Sequence, residues 1–533
     1  MVTLDVVIRN GQVIDGTGRP AVRCDIGIRD GRVDAVGDLS AAEAQRSIDA
    51  TGLTVAPGFV DTHTHSEGDL LVNPQHEYGI RQGITTEIFG LDGVSYAPLS
   101  REHYLMYRRY LAGLLGDPPE DIDTTTVAAF RANYHQRVAV NTAYLVPHGA
   151  IRLATLGFRD APLFGPALIA AERLVRESID QGAVGLSSGL NYYPGAWSDT
   201  AEVTALAKAT GLAGGVHVIE LRYRGGARGS DPWGVAEAIE VGLRSGARIH
   251  LAHHRIQPET AGDLDALMGA LDGAIASGLD CTFDIYPYPT GSSFPAAYLP
   301  SWAQEGGPDA ILEHLRDPSE RARIAEYLDR EYGSRGGIAL ERFVFSYLPR
   351  QPELEGAALR EIAEDRRVSM GTALCDLLLA EELKVGFCIS VPESMSRWRQ
   401  VSKDAMQLLA RPDYMICSDI TPLGGMPHPR SYGAFPRFLG RLRRAFGGLT
   451  LEQMVHRCTD VPARRFGLAG RGQLAPGYWA DVVVFDADRL MDNATYDDPR
   501  QFPSGIAHVL VNGRIAVENE RVTGVLAGHA VPD

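Results

Sequence analysis

Two histidines follow an apolar run near the start of the chain, in the stretch Gly58-Phe59-Val60-Asp61-Thr62-His63-Thr64-His65. On a β-strand, the i, i+2 spacing of His63 and His65 places both imidazoles on the same side. Two converging imidazoles are suitable ligands for a borderline metal such as zinc. An isolated pair of this kind is more often simply solvated. Here the pair closes an apolar run, Val55–Val60, and precedes a helical segment, which favours a metal site at the carboxyl end of a strand.

The middle of the chain alternates apolar runs with helical stretches, the pattern of a parallel sheet or barrel. Eight runs are candidate strands: Val55–Val60, Thr85–Phe89, Asn141–Val146, Ala183–Ser187, Gly215–Val218, Arg248–Ala252, Cys281–Tyr286 and Tyr414–Cys417. Eight is the number of strands in a (β/α)8 barrel. We therefore predict an α/β protein with a TIM-like, metal-dependent (β/α)8 barrel.

Side chains that can bind a metal recur at the ends of these runs. After the histidine pair, they are Asp92, His148, His217, His253, His254 and Asp419. The carboxyl ends of barrel strands meet at one face, where active sites lie, so the recurrence is a stronger signal than any one residue. Each residue also has an ordinary alternative, such as a turn carboxylate for Asp419 or a packed core histidine for His217 and His253. His254 is adjacent to His253 and points to the other side of the strand, so we expect it to be structural.

The two ends of the chain have a different texture from the middle. Short β-runs separated by turn signals such as Asn10-Gly11 fill the first part, and the run 481–486 near the other end is similar. The interval between Tyr288 and Tyr414 is too long for a single βα connection, which indicates an insertion beside the barrel mouth. We predict one small β-domain from residues 1–55 and 470–533, a catalytic barrel at 56–469, and an inserted lid subdomain at 289–345.

Charge and cysteine usage restrict the partners. The formal net charge is -16 and the pI is about 5.4, which argues against nucleic acid and anionic membrane surfaces. No segment is apolar for long enough to span a bilayer, and the first thirty residues contain no signal-peptide pattern. The six cysteines are scattered without a CxxC motif, as in a reducing cytoplasm. We expect a cytoplasmic protein with a small-molecule substrate and neither a nucleic-acid nor a membrane partner, and a homo-oligomer stays open.

Longer motifs cover most of the chain. They are Ala56–His65, Gly182–Leu190, Asp284–Tyr288, Ser418-Asp419 with His428-Pro429-Arg430, Pro462–Leu468 and Gly477–Asp481. With these motifs the protein resembles the amidohydrolase superfamily and, within it, the N-acyl-D-amino-acid deacylases (D-aminoacylases). The last two motifs are common to many amidohydrolases, whereas the Ser-Ser-Gly-Leu stretch and the Ser-Asp and His-Pro-Arg block are specific to the deacylase branch. The resemblance implies a metal-dependent barrel with a β-sandwich made from both termini.

The resemblance also implies a reaction, the hydrolysis of the amide bond of N-acyl-D-amino acids. The family's motif positions, carried onto this chain, give His63, His65, His217 and His253 as metal ligands and Asp419 as the general base. A bound Zn²⁺ lowers the pKa of its water and polarises the carbonyl, so that a metal-bound hydroxide attacks. Asp419 would take the proton from the water and pass it to the departing amine.

Asp92 departs from the family pattern. The deacylases usually have a cysteine ligand after the second strand, in a Gly-Asn-Cys-Gly setting, whereas this chain has Gly90-Leu91-Asp92-Gly93. Asp92 is still a possible ligand, but a hard carboxylate replaces a soft thiolate. A carboxylate can bridge two metals, so the site could hold one or two zinc ions or another divalent metal. The alternative is a turn aspartate beside a weakened site.

Other positions concern the substrate. Arg255 stands where the deacylases usually have a lysine that holds the substrate carboxylate, and its guanidinium differs in reach and geometry. Tyr192 and Tyr286 match family positions that orient the substrate, and Arg430 is a further candidate. Each of them has an ordinary packing or salt-bridge alternative. Within 218–222, the Arg and Glu that the family places after the metal histidine are lost or shifted.

Two other functions remain alternatives at this point. One is hydrolysis of a cyclic amide or imide, as in the dihydroorotase and hydantoinase branches, which typically use a carboxylated lysine on the fourth strand. Ala183–Gly189 contains no lysine, which counts against this reading. The other is a barrel that has lost its metal and serves as a binding protein, and the retention of the four predicted histidine ligands with Asp419 argues against it.

Overall fold

The strands of the protein belong to three sheets. In the computed structural model, residues 3–223, 231–333 and 338–532 are described. The strands are β1 (Leu4–Val13), β2 (Val22–Arg29), β3 (Arg32–Gly37), β4 (Ala44–Asp49), β5 (Thr54–Pro57), β6 (Phe59–Asp61), β7 (Ile84–Phe89), β8 (Asn141–Pro147), β9 (Gly185–Gly189), β10 (Val216–Glu220), β11 (Arg248–Leu251), β12 (Cys281–Ile285), β13 (Ser292–Ser293), β14 (Phe343–Tyr347), β15 (Gly386–Ile389), β16 (Tyr414–Ile416), β17 (Val482–Phe485), β18 (Ile506–Val511), β19 (Arg514–Glu518), β20 (Arg521–Val522) and β21 (Ala530–Val531).

Helices alternate with the strands of the central sheet. They are α1 (Glu67–Leu70), α2 (Glu77–Ile80), α3 (Arg101–Tyr110), α4 (Ala112–Leu115), α5 (Val127–Ala132), α6 (His148–Leu156), α7 (Gly165–Asp180), α8 (Thr200–Leu212), α9 (Pro232–Ser245), α10 (Leu264–Ala276), α11 (Ser301–Gln304), α12 (Pro308–Arg316), α13 (Pro318–Tyr332), α14 (Leu359–Arg366), α15 (Met370–Ala380), α16 (Met395–Leu409), α17 (Arg430–Pro436), α18 (Arg443–Phe446), α19 (Leu451–Arg457) and α20 (Asp460–Arg465). Among the described residues, no helix combines the length and the apolar character that crossing a membrane requires.

Eight strands form a parallel barrel in the order β6-β7-β8-β9-β10-β11-β12-β16. Every neighbouring pair in this order is parallel. A parallel bridge between Thr64 and Ile420 joins the first strand to the last. Each of the eight predicted runs overlaps one of these strands, which confirms the (β/α)8 fold class. The short strand β21 adds to β8 in parallel.

Apolar side chains fill the inside of the barrel. One buried cluster draws on five barrel strands and includes Val60, Ile88, Leu145, Val218 and Met415. Neighbours on the same strands, such as Phe59 and Ile219, belong to the large core between the strands and the helices. Because side chains alternate along a strand, these two clusters define the inner and outer faces of the barrel.

Both ends of the chain contribute to one nine-stranded sheet. Its order is β20-β19-β18-β17-β5-β1-β2-β3, with β4 beside β1. The antiparallel pairing of β5 with β17, with Ala56 opposite Val483, joins the two ends. The predicted strand Val55–Val60 is therefore divided between this sheet and the barrel, with Gly58 at the junction. A Cβ atom on Gly58 would lie 2.1 Å from Thr85 Oγ1, so the junction requires glycine.

The interval between β12 and β16 contains an inserted unit. Its three strands form the antiparallel sheet β13-β15-β14. Helices α11 to α15 lie between these strands along the chain. The sheet includes β15 at Gly386–Ile389, so the unit extends past residue 345, where we predicted its end. A strand of four residues that pairs only with distant partners leaves no local signal in the sequence.

Candidate active site

Metal-capable side chains converge where the barrel strands end. His63 and His65 follow β6, and their Nε2 atoms are 3.4 Å apart. Asp92 follows β7, and its Oδ2 lies 3.4 Å from His63 Nε2 and 3.3 Å from His65 Nε2. Asp419 follows β16, and its Oδ1 lies 3.7 and 3.5 Å from the same two nitrogens. The structure thus brings these four predicted residues into one buried group.

His253 and Glu220 extend this group on one side of Asp92. His253 follows β11, and its Nε2 lies 3.8 Å from Asp92 Oδ2. Glu220 is the last residue of β10, and its Oε1 lies 3.9 Å from His253 Nε2. Both side chains are buried. Glu220 was not among the predicted ligands, and it lies two residues beyond the predicted run Gly215–Val218.

His217 lies outside the group. It is on the same strand as Glu220, but it shares the outer face with Ile219, and its Nε2 is 2.9 Å from Ser188 Oγ. Burial and the nearby His148 lower the pKa of His217 to about 3, so its ring is neutral. It belongs to neither set of residues close enough to share a metal ion. The structure therefore does not place His217 where we predicted a metal ligand, because residues three apart on a strand face opposite sides.

Three residues of the group have left-handed backbone conformations. The φ angles are 52° at Asp92, 34° at His253 and 56° at Asp419. For residues other than glycine, such conformations cost about 1–3 kcal/mol each and persist only where the surroundings impose them. The turns after β7, β11 and β16 are thus shaped to direct these side chains toward one another.

Main-chain hydrogen bonds join the first and last barrel strands beneath the group. The Asp419 N–H donates to the His63 carbonyl at 2.9 Å, and the His65 N–H donates to the Ile420 carbonyl at 3.0 Å. The Ser418 N–H donates to Asp61 Oδ1 at 2.9 Å. The separation between the histidine pair and Asp419 is therefore set by the backbone.

Asp284, on the inner face of β12, lies next to the histidines. Its carboxylate accepts hydrogen bonds from Thr62 Oγ1 at 3.0 Å, from His250 Nε2 at 3.0 Å and from the backbone N–H of His253. Its Oδ2 is 4.0 Å from His63 Nδ1. Burial would raise the pKa of Asp284, but the hydrogen bond from His250 and the nearby histidines hold it below its usual range. Asp284 is thus a charged group on the Nδ1 side of His63, the side from which metal-binding histidines are usually oriented.

The electrostatics of the group favour a cation. Burial alone would lower the pKa of His63, but the carboxylates of Asp92 and Asp419 raise it to about 10. Burial alone would raise the pKa of Asp92, but the charge of His63 and the closeness of the other histidine rings hold it well below its usual range. A proton on His63 therefore balances the buried carboxylates, and a divalent metal ion would supply the same kind of charge.

The residues fit a metal ion. Asp92 Oδ1 and His253 Nε2 are buried and have no hydrogen-bond partner among the described residues, which is rare for polar atoms in a protein interior. Tetrahedral ligands about 2.1 Å from an ion lie about 3.4 Å from one another. The neighbouring donor atoms of the histidines, Asp92, Asp419 and Glu220 in this group are 3.3 to 3.9 Å apart. Imidazole and carboxylate donors suit zinc and other divalent first-row metals.

Comparisons with known proteins agree with this geometry. Residues 377–517 match the profile of the amidohydrolase family. The chain is 36% identical to the N-acyl-D-glutamate deacylase of Alcaligenes xylosoxydans xylosoxydans over 511 residues, which is 96% of this chain and 93% of that protein. The chain belongs to the amidohydrolase family, in the group of the N-acyl-D-amino-acid deacylases.

Solved structures of this deacylase group show the same fold with bound metal. The N-acyl-D-glutamate deacylase of Bordetella bronchiseptica, in complex with zinc and a phosphonate mimic of the tetrahedral intermediate, is 32% identical, with a TM-score of 0.83 over 100% of both chains. A D-aminoacylase with a binuclear metal centre, activated by one metal and attenuated by the second, is 30% identical, with a TM-score of 0.81 over 99% of both chains. The resemblance read from the sequence motifs is confirmed.

In this deacylase-group protein, two arginines border the metal-capable group. Arg430 Nη1 lies 2.7 Å from Asp419 Oδ2. Both guanidinium groups make cation–π contacts with the ring of Tyr286. The distance from Cζ to the ring centroid is 4.7 Å for Arg430 and 4.5 Å for Arg255. Arg255 is buried and donates to the Pro289 carbonyl at 3.1 Å. Within the described ranges, no carboxylate oxygen lies within 4.0 Å of the Arg255 guanidinium.

The inserted sheet forms one wall of the site. Ser293 Oγ, on β13, lies 3.2 Å from Tyr192 Oη, and the ring of Tyr192 stacks on Phe294 with centroids 5.6 Å apart. On the same strand, Ser292 Oγ accepts a hydrogen bond from Arg430 Nη2 at 2.9 Å. The insertion thus contacts two of the predicted substrate-binding residues, Tyr192 and Arg430.

His148 and His254 have structural partners. His148 Nε2 is 2.7 Å from Glu202 Oε1, and Arg152 Nη1 donates to the other oxygen of Glu202 at 2.5 Å. The ring of His254 packs against Phe283 with centroids 5.3 Å apart. Neither histidine belongs to the two sets of residues that could share a metal among the described residues.

Proposed function

We propose that this protein is a metal-dependent hydrolase of the amide bond of N-acyl-D-amino acids. The proposal is carried by the buried group of His63, His65, Asp92 and Asp419 at the mouth of the barrel. Full-length similarity to an N-acyl-D-glutamate deacylase supports the same reaction. His63, His65 and Asp92 of this group, together with His253, would hold one or two zinc ions. A bound zinc ion polarises the substrate carbonyl and makes water acidic enough to act as a nucleophile near neutral pH.

Asp419 is the residue positioned to move a proton. Its Oδ2 is held by Arg430 at 2.7 Å, while its Oδ1 faces the histidine pair. With one oxygen anchored, the other is free to accept the proton of the attacking water and to deliver it to the nitrogen of the departing amine. The amine then leaves as a neutral group, which is the requirement for breaking an amide bond.

Arg255 is suited to bind the carboxylate of the substrate. A buried cation is costly unless it is paired, and an amino-acid carboxylate would pair it with two parallel hydrogen bonds. Tyr286 holds the Arg255 guanidinium from one side by a cation–π contact at 4.5 Å. Tyr192, Tyr286 and Arg430 would then orient the rest of the substrate between the metal-binding group and the inserted sheet.

Amine release from a panel of N-acyl amino acids tests the proposed function. The panel contains N-acetyl and longer N-acyl derivatives in both D and L forms, and the protein is first loaded with zinc. We expect turnover of D substrates and little or none of the matching L substrates. No turnover of either series by protein with metal bound would contradict the proposal, and a panel of cyclic amides would then follow.

A further inference from the structure

Glu220 faces the inside of the barrel at the end of β10. Val216 and Val218, which precede it at alternate positions, belong to the cluster that fills the barrel interior. His217 and Ile219 occupy the opposite face. The carboxylate of Glu220 therefore stands one step above the inner apolar layer, at the height where the metal-capable side chains gather.

Asp92 lies between two sets of possible ligands. One set is His63, His65 and Asp419, and its nitrogens lie 3.4 and 3.3 Å from Asp92 Oδ2. On another side, His253 Nε2 lies 3.8 Å from the same oxygen and 3.9 Å from Glu220 Oε1. The separations on the His253 side exceed by about 0.5 Å the roughly 3.4 Å expected for ligands of one tetrahedral ion, and Glu220 lies outside the two compact sets, so binding would draw its carboxylate closer to His253 and Asp92.

Two members of this second set, Asp92 and His253, each carry a buried polar atom that a cation would satisfy. Asp92 Oδ1 and His253 Nε2 are buried, and neither has a hydrogen-bond partner among the described residues. When His253 Nε2 carries no proton, it and a carboxylate oxygen are both lone-pair donors, so they cannot satisfy each other. A cation placed among them would satisfy both.

We propose that Glu220 is a metal ligand, which forms a second metal position with Asp92 and His253. Asp92, whose Oδ2 lies near His63 and His65 as well as His253, would contribute to this position and to the one made by His63 and His65. The proposal rests on the proposed metal-dependent hydrolase and assigns one of its two metal positions to residues of this chain. It also explains why His217 is not needed as a ligand.

The donor set of this second position has a consequence for metal choice. It consists of one imidazole and two carboxylates, with no thiolate. Soft thiolates favour zinc strongly, whereas carboxylates suit harder ions such as Mn²⁺ as well. We therefore expect the second position to exchange its ion readily and to accept Co²⁺ and Mn²⁺ alongside Zn²⁺.

Metal stoichiometry of the full-length protein tests the role of Glu220. Metal-free wild type and the variants Glu220→Gln and His217→Asn are titrated with Zn²⁺, and bound metal is measured by elemental analysis. We expect two ions per chain for the wild type and for His217→Asn. For Glu220→Gln we expect one ion at the same free zinc, with the second bound more than about 100-fold more weakly, since even changes to residues that only hydrogen-bond a metal ligand cost about 10–100-fold in metal affinity.

A second measurement keeps the test informative if Glu220→Gln folds poorly. Glu220→His replaces an oxygen donor by a nitrogen donor, so the visible spectrum of its Co²⁺ form should differ from that of the wild type. An unchanged spectrum, two ions in Glu220→Gln, or a wild type that saturates at one ion would each overturn the proposal. Because these readouts do not use turnover, they separate this inference from the proposed function, which fails only if the metal-loaded wild type is inactive on N-acyl-D-amino acids.

Discussion

Asp92 is the residue on which the arrangement of the site depends. Its Oδ2 lies within 3.8 Å of three imidazole nitrogens, those of His63, His65 and His253. Together with Asp419, the same carboxylate raises the pKa of His63 to about 10. Since Asp92 stands in a left-handed turn, its reach toward both sides of the group is fixed by the backbone. Asp92 thus lies close to three imidazoles of the site and, with Asp419, determines its charge.

Replacing Asp419 by asparagine tests the proton transfer. The amide keeps the size of the side chain but cannot accept a proton, so Asp419→Asn should reduce kcat by about 10²–10⁴-fold. The measurement is amine release from an N-acyl-D-amino acid, with bound metal quantified in the same sample. Full turnover by Asp419→Asn with metal bound would exclude the residue as the general base.

Replacing Arg255 tests substrate binding. Hydrogen bonds to a charged group contribute about 1.5–3 kcal/mol, so Arg255→Gln should raise KM by roughly 10–150-fold while kcat changes less. Arg255→Lys retains the charge without the two-pronged geometry and should fall between the wild type and Arg255→Gln. Equal KM values for all three proteins would show that Arg255 does not hold the substrate carboxylate.

The buried, neutral ring of His217 should make the stability of the fold fall on acidification. Burial lowers its folded-state pKa to about 3, below the value of about 6.5 in an unfolded chain. Between these values the unfolded state binds a proton that the folded state does not, so stability falls as the pH drops from 6.5. The slope for one proton is about 1.4 kcal/mol per pH unit.

Thermal unfolding of the metal-free protein between pH 7 and 4 checks this prediction. The Tm of the wild type should fall more steeply on acidification than that of His217→Asn, because asparagine does not titrate. An exposed histidine provides the control, and His135→Asn should leave the wild-type slope unchanged. Parallel curves for the wild type and His217→Asn would contradict the assigned burial of a neutral ring.

At the scale of elements, the barrel strands could be predicted from the sequence and the inserted sheet could not. The barrel strands appear in the sequence as short runs rich in apolar residues that alternate with helical stretches, which is a local signal. By contrast, β13 has two residues and β15 has four, and their pairing spans most of the insertion. Within β10, too, one residue could be identified from the sequence pattern and another could not. Residue type drew attention to His217, whereas the alternation of inner and outer positions along the strand identifies Glu220.

Position at the end of a predicted strand identified which residues lie at the site, but it did not predict their geometry relative to one another. His63, His65, Asp92 and Asp419 were all found from their positions after apolar runs. Their convergence depends on left-handed turns and on hydrogen bonds between the first and last strands, which join residues distant in the sequence. Such contacts arise only when the barrel closes, so no local pattern encodes them.

The packing of α6 against its neighbours depends on a buried ionic cluster. Glu202 on α8 accepts from Arg152 at 2.5 Å and contacts His148 at 2.7 Å. Burial raises the pKa of Glu202, but His148 and Arg152 together hold it below its usual value. Glu202→Ala would leave the Arg152 cation buried without its carboxylate, at a cost of about 3–5 kcal/mol.

Urea denaturation measures this effect. The midpoint for Glu202→Ala should lie well below that of the wild type. Glu177→Ala, which removes an exposed ion pair with Arg173 on α7, should change stability by less than about 1 kcal/mol. Similar midpoints for the two variants would show that the buried cluster does not support the fold.

At the scale of the whole molecule, the terminal sheet and the barrel share a buried polar junction. Asp481, just before β17, accepts from the Asn512 N–H at 2.8 Å and from Asn141 Nδ2 at 3.1 Å, at the start of β8. Arg471 pairs with the same carboxylate. The Gly58 N–H donates to the Asp481 carbonyl at 2.8 Å, where the chain passes from the sheet into β6. One residue near the end of the chain thus contacts both the entry to the barrel and its third strand.

Asp481→Ala should therefore destabilise the protein without altering its chemistry. The substitution leaves Arg471 buried without its carboxylate and removes acceptors for Asn141 and Asn512, so we expect a loss of about 3–5 kcal/mol. The exposed Asp488→Ala on the same segment is the matched control and should stay within about 0.5 kcal/mol of the wild type. Because the junction does not contact the metal-capable group, kcat per folded molecule should be unchanged in both variants. A stable Asp481→Ala protein with altered kcat would instead mean that the terminal sheet acts on the active site.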